Sequence, residues 1–305
     1  MTNTTAILED EILALYEYPK GHRYYHESCD VSKAMHPASE KRNWPIAVAS
    51  GALNTSRFLS NYLAQELASH GFTVISIDHP YDTDIVEFPN GDVITGGHVQ
   101  KPVNGSTASV EFALEVRAQD ASFVLDRLGV RQDESAVMFG NSFGGAAAAT
   151  ALFNDKRFRA GVNIDGMMFG PVLNTSLGEP GRPQAFMLWG SAEHHTLDNT
   201  TWNQFWTALT QAPYVDYKKE FSITNSSHAS YWDLGVLADL AGVRSNLSET
   251  AKLLVGPPPS KRNWGDIPGR YIAAFFKFVL GLEAEDEVLK GPSGEYPEVN
   301  LLRGS

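Results

Sequence analysis

The sequence predicts an α/β protein with a mostly parallel central sheet and helices on both of its faces. Three observations predict it. Short apolar runs alternate with longer amphipathic ones, the pattern of strands joined by crossover helices. The 305 residues suffice for one large domain with a sizeable core. A glycine-flanked serine, Gly140-Asn141-Ser142-Phe143-Gly144, stands between a strand-like run and an alanine-rich helical one.

Taken in order, the strand candidates are residues 45–50, 73–78, 135–140, 160–164, 185–190 and 219–224, each a short run rich in β-forming side chains. Helices are expected over 57–70, 109–128, 144–153 and 268–280. The second of these carries apolar residues at Val110, Phe112, Ala113, Val116, Ala121, Val124, Leu125 and Leu128, close to a helical repeat, and Gly129 marks its stop. It is expected to cover one face of the sheet. Segments 170–183 and 245–262, rich in Pro, Gly and Ser, read as lid pieces or surface insertions in a single domain spanning 1–305. The Tyr24-Tyr25-His26 cluster reads as strand material.

Composition narrows the partners. With 43% hydrophobic and 20% charged residues the chain is an ordinary globular one. A formal charge of -12 repels nucleic acid and anionic membrane surfaces at long range, which leaves a neutral or zwitterionic small molecule as the expected partner. Cys29 is the sole cysteine, so neither an intrachain disulfide nor a thiolate metal cluster is available. The N-terminal residues do not read as a signal peptide, and the apolar run at 271–280 is too short to span a bilayer. Sequons at Asn3, Asn54, Asn104, Asn174, Asn199, Asn225 and Asn246 exceed the roughly two that chance gives. They fit a mature secreted protein as well as a Ser/Thr-rich surface of a cytoplasmic one.

The Gly-x-Ser-x-Gly pattern gains its weight from its setting. A strand running into a sharp turn and a helix leaving it hold a serine in a strained conformation, which demands small neighbours; Gly140, Gly144 and Gly145 supply them. This is the nucleophile elbow of an α/β-hydrolase fold, with Ser142 as nucleophile. A serine hydroxyl needs a base held by a carboxylate. Downstream histidines are His194, His195 and His228, and His228 is preferred because its Ser/Asn-rich loop follows the last strand candidate. His194 and His195 read as solvent-facing loop residues. Two carboxylates compete for the third role: Asp165, which ends one strand, and Glu193, which follows the next; topology alone favours Glu193.

Between Ser50 and Leu237 the residues resemble the plasma-type and intracellular type II platelet-activating-factor acetylhydrolases, calcium-independent serine phospholipases A2. Residues 67–72 are similar to the family's helix end and turn before a central strand, and Gly140 to Gly145 (GNSFGG) to its GHSFGG elbow. Residues 155–169 (DKRFRAGVNIDGMMF) resemble the segment that ends in its catalytic aspartate, LDAWMF. The resemblance implies that Asp165 is the triad acid, with His228 as base. It also aligns residues 50–54 with the family's SHGLG loop, so the oxyanion hole would comprise the amides of Leu53 and Phe143, each worth about 3 kcal/mol. Three positions depart from the family: Gly51 replaces its His, Asn54 its Gly and Asn141 its His.

Other features carry less. Asp78-His79-Pro80-Tyr81-Asp82-Thr83-Asp84 gathers three carboxylates and a histidine, but its spacing fits no metal ligand set, and it reads as a solvated loop at the edge of the pocket. Trp202, Phe205 and Trp206, at helical spacing, suit a lid, a pocket wall or core packing equally. The resulting expectation is a serine carboxylic ester hydrolase with Ser142, Asp165 and His228 as catalytic residues, acting through an acyl-enzyme with no cofactor and no metal. The resemblance implies short-acyl esters, acetylated or oxidised phospholipids among them; esters of secondary metabolites serve equally. The alternatives are an acyltransferase or cyclase using the same triad, and a non-catalytic binding protein on the same fold.

Overall fold

In the computed structural model, residues 2–19, 44–195, 200–259 and 265–304 are described. Cys29, Asn199 and the Tyr24-Tyr25-His26 cluster lie outside them, as does the end of the 245–262 segment. The strands are β1 (Ile46–Ser50), β2 (Thr73–Ile77), β3 (Ile85–Glu87), β4 (Val93–Thr95), β5 (Ala136–Asn141), β6 (Phe158–Ile164), β7 (Gln184–Gly190), β8 (Val215–Ile223) and β9 (Val299–Gly304). Seven of them form one sheet in the order β2-β1-β5-β6-β7-β8-β9. All neighbours run parallel except β8 and β9. The remaining two, β3 and β4, make a separate antiparallel pair.

Eight helices surround the sheet among the described residues: α1 (Asn3–Leu15), α2 (Asn61–Ser69), α3 (Ala108–Arg127), α4 (Phe143–Asn154), α5 (Thr200–Gln211), α6 (Asp233–Leu240), α7 (Glu249–Val255) and α8 (Asp266–Val279). Strand periodicity divides the core in two. Val137 and Phe139 of β5, with Ala185, Met187 and Trp189 of β7, face α2 and α8 on one side. Ala136, Met138, Phe186 and Leu188 face α3, α4 and α5 on the other. Strands β5, β6 and β7, with nearly every residue buried, read as continuous apolar runs, whereas β2 at the sheet edge is only partly buried.

A third, smaller cluster joins Leu13 of α1 to Leu234 and Ala238 of α6 and Ala251 and Val255 of α7. Part of segment 245–262 is therefore the helix α7 with a buried face. Segment 170–183 likewise sends Val172 and Leu177 into the main core. The structure departs from two expectations. The loop 78–84 is solvated only in part: His79, Asp82 and Thr83 are buried, with His79 bonded to Asp120 of α3 and Ser50 of β1 and Asp82 to Arg117 of α3, while Tyr81 is exposed. The apolar repeat assigned to α3 also differs, because Phe112 and Leu128 are exposed and the buried stripe runs through Val110, Ala113, Leu114, Arg117, Ala118, Ala121 and Leu125.

Candidate active site

The site is assembled at the carboxyl ends of the parallel strands, where an open α/β sheet has its natural crevice. Ser142 follows β5 and precedes α4, with φ 55° and ψ -122°. Such a conformation is costly for a residue with a Cβ, and the surroundings enforce it. The Ser142 amide donates to the Ile164 carbonyl at 2.7 Å. A Cβ on Gly144 would come within 1.9 Å of the Ser50 carbonyl oxygen, so the elbow presses α4 directly against the end of β1.

Asp165 follows β6 and also adopts a left-handed conformation, φ 60°. Its amide donates to the Trp189 carbonyl at 2.8 Å, which fixes the turn. Its carboxylate meets three donors. Oδ2 lies 2.7 Å from His228 Nδ1, Oδ1 lies 3.0 Å from His194 Nδ1, and the Ser191 amide donates to Oδ1 at 2.6 Å. Burial alone would raise the carboxyl's affinity for a proton, but the bonds from His194 and His228 outweigh it and hold Asp165 well below the ordinary carboxylate range.

His228 opens a short 3₁₀ turn, His228–Tyr231, fixed by reciprocal bonds between Ser227 and Ser230. Trp232 packs edge-on to the imidazole and donates to Asn141 Oδ1 at 2.7 Å. Asn141 in turn donates to the Ile164 carbonyl at 3.1 Å. The residue that departs from the family before the serine thus ties the histidine loop to the elbow. Of the two carboxylates the sequence left in competition, Asp165 is the one bonded to His228.

In the loop after β1, Asn54, which stands where the family has Gly, takes φ 56°, the left-handed region open to Gly and tolerated by Asn. Leu53, Phe143, Ser142, Asp165 and His228 all line one cavity of about 600 Å³, with Val110, Met167 and Phe169 among its apolar walls. A second cavity of about 580 Å³ shares Glu193 and His228 with it and carries Trp232 in its wall. Phe143 is the first residue of α4, so its N–H has no intrahelical acceptor. The Ser142 hydroxyl makes no side-chain hydrogen bond among the described residues.

Two residues went unrecognised. The sequence suggests a solvent-facing His194, yet it bonds Asp165 and packs tilted against Trp202 at 3.9 Å between ring centroids. Its position just after β7, beside the loop after β6 in a parallel sheet, was the available signal. Arg117 lies within the buried stripe of α3 and reaches the loop after β1; an arginine seven residues after Val110, on the stripe that Ala113 and Leu114 continue at i+3 and i+4, was its signal. Trp202 and Phe205 pack in the core, and the Trp202 indole donates to the Gly166 carbonyl at 2.5 Å. Among the described residues no group of three or more His, Cys, Asp or Glu side chains is placed to hold a metal ion.

Comparison with known proteins agrees with this architecture. Residues 113–243 match the family model described as platelet-activating factor acetylhydrolase, isoform II. A protein of Arthroderma benhamiae named probable 1-alkyl-2-acetylglycerophosphocholine esterase is 37% identical over 277 residues, 90% of this chain and 70% of that one. The platelet-activating factor acetylhydrolase of Canis lupus familiaris is 27% identical over 165 residues, 43% of this chain and 37% of its own length. The solved structure of a ferulic acid esterase from Streptomyces cinnamoneus superposes with a TM-score of 0.68 at 25% identity, covering 87% of this chain and 75% of that one. The elbow, the sheet order and the 37% identity across nine-tenths of the chain lead to one assignment: this chain belongs to the platelet-activating factor acetylhydrolase, isoform II, family of carboxylic ester hydrolases.

Proposed function

We propose that the chain is a serine esterase that cleaves short-acyl esters by two-step acyl transfer, with Ser142 as nucleophile, His228 as general base and Asp165 as the acid that orients it. One observation carries the reading: His228 Nδ1 is bonded to Asp165 Oδ2 at 2.7 Å while the strained Ser142 elbow lines the same cavity. That bond leaves His228 Nε2 free to accept a proton. The reading requires Ser142 Oγ and His228 Nε2 to come within bonding reach in the cavity that both line.

In the first step His228 takes the Ser142 proton as the serine oxygen attacks the ester carbonyl, and the amides of Phe143 and Leu53 stabilise the oxyanion. His228 then protonates the departing alcohol. Water, activated by the same imidazole, attacks the acyl-serine and releases the acid. The fungal relative's name points to acetyl esters of an ether glycerophosphocholine, a zwitterionic substrate compatible with the net charge of -12. A series of nitrophenyl esters of increasing acyl length tests the reading. Activity should peak at two to four carbons and fall by about 10⁴-fold or more in Ser142→Ala; equal rates in the two proteins would end the serine mechanism.

A further inference from the structure

Arg117 is a buried cation with all five of its N–H donors engaged by the protein itself. Its Nη1 donates to the Gly51 carbonyl at 2.6 Å and to Ser50 Oγ at 3.0 Å, and its Nη2 to the Ala52 carbonyl at 3.2 Å. Its other edge is clamped by Asp82, with Nε to Oδ2 and Nη2 to Oδ1 both at 2.7 Å. The guanidinium also lies 4.7 Å from the centre of the Phe143 ring. One side chain therefore touches the two segments that carry the proposed oxyanion donors.

Peptide geometry gives this arrangement a direction. In a trans peptide the carbonyl and the following N–H point opposite ways. The Ala52 carbonyl is turned toward Arg117, and Thr55 Oγ1 donates to it as well, at 2.9 Å. The Leu53 N–H is therefore turned away from the guanidinium, and Leu53 lines the catalytic cavity. Without a cation behind it the loop could rotate that peptide, and the donor would leave the cavity.

The clamp is itself fixed at a second point on the same helix. Asp120, one turn along α3 from Arg117, bonds His79 Nδ1 at 2.7 Å, and His79 Nε2 lies 2.9 Å from Ser50 Oγ. Burial holds the His79 imidazole below its ordinary range, and the neutral ring can accept the Ser50 proton at Nε2 while Nδ1–H faces Asp120. Helix α3 thus grips the end of β1 twice, once through Arg117 and once through His79.

We propose that Arg117 is a positioning residue for transition-state stabilisation: its fork on the Gly51 and Ala52 carbonyls, backed by Asp82, aims the Leu53 amide at the developing oxyanion. The proposal rests on the reading that Leu53 and Phe143 form the oxyanion hole. It is the fork geometry that matters, so lysine, a point donor unable to span two carbonyls and a carboxylate, is a poor substitute.

A comparison of nitrophenyl acetate with its thiono counterpart, in which sulfur replaces the carbonyl oxygen, tests this on the 305-residue chain. Sulfur accepts hydrogen bonds poorly, so the ratio of oxoester to thionoester kcat, normalised to hydroxide hydrolysis, reports the hole and not general integrity. The parent should prefer the oxoester. Arg117→Lys should lose about 10- to 100-fold in oxoester kcat, less than or equal to the loss of a whole donor, with a much smaller loss on the thionoester and KM within about 2-fold. Asp82→Asn, which removes the charge behind the fork, should lower the ratio in the same direction by a smaller factor, and serves if Arg117→Lys does not fold by circular dichroism. A parent with no oxoester preference would refute the oxyanion hole and the proposal together. A preference in the parent that either folded variant retains unchanged would refute the role of Arg117 alone.

Discussion

Asp165 joins three loops through one side chain. It sits at φ 60°, its amide is held by Trp189, and its two oxygens are divided between His228 and His194. Asp165→Asn should therefore cost on the order of 10³- to 10⁴-fold in kcat, because an amide cannot hold the imidazole in the required tautomer. Glu193→Gln should cost less than about 10-fold; kcat measured on both variants decides, and the opposite ranking would move the acid to the loop after β7. Sequence could name Asp165 only by its likeness to a family motif, since topology favoured Glu193. It could not name His194 as a second partner, because that contact exists only once β6 and β7 lie side by side and bring the loops that follow them together.

Among the elements, the elbow was fully legible and the edge strand β9 was not. Gly140 and Gly144 announced a close approach of backbone to backbone, and a Cβ at Gly144 would indeed collide with the Ser50 carbonyl at 1.9 Å. Gly144→Ala should destabilise the chain by about 2 to 3 kcal/mol, the cost of overpacking a rigid contact, and a urea unfolding midpoint would register it; an unchanged midpoint would mean that α4 and β1 can part without loss. The edge strand β9 escaped the sequence because its burial alternates and its residues, VNLLRG, make no continuous apolar run. The pair β3 and β4 escaped because strands of three residues carry too few positions to display a period. Helix α3 was found with its buried stripe misread, since an arginine in an apolar face breaks the pattern while occupying one of its positions.

For the molecule as a whole, proton binding couples the peripheral helices to the core. Burial, with the charge of Asp84 beside it, pushes the Glu9 carboxyl of α1 far above the ordinary carboxylate range, and burial raises Asp84 as well. Asp233, whose carboxylate accepts the Tyr62 amide at 3.0 Å, is pushed up to about 7 by burial. These three groups bind protons more tightly folded than unfolded. The stability they contribute is complete below the ordinary carboxylate range and is lost as pH rises to neutrality and beyond. Asp165 has the opposite sign, and its contribution disappears only in strong acid. Unfolding free energy should therefore fall between about pH 5 and pH 8, by up to about 1.4 kcal/mol per pH unit for each extra proton held. Glu9→Gln should flatten that fall and raise stability at the alkaline end. A melting temperature independent of pH across this window, in parent and variant alike, would show that Glu9 stays ionised in its buried seat.

The strand that turns against the rest has a consequence for the order of assembly. β9 lies antiparallel on β8, and the Glu298 carbonyl just before it accepts the amide of Thr224, four residues ahead of His228. The imidazole's foundation is thus completed by residues synthesised more than seventy positions after the imidazole itself. Until β9 has docked on β8, the Thr224 amide lacks its main-chain acceptor and the loop that carries His228 rests on an unpaired sheet edge.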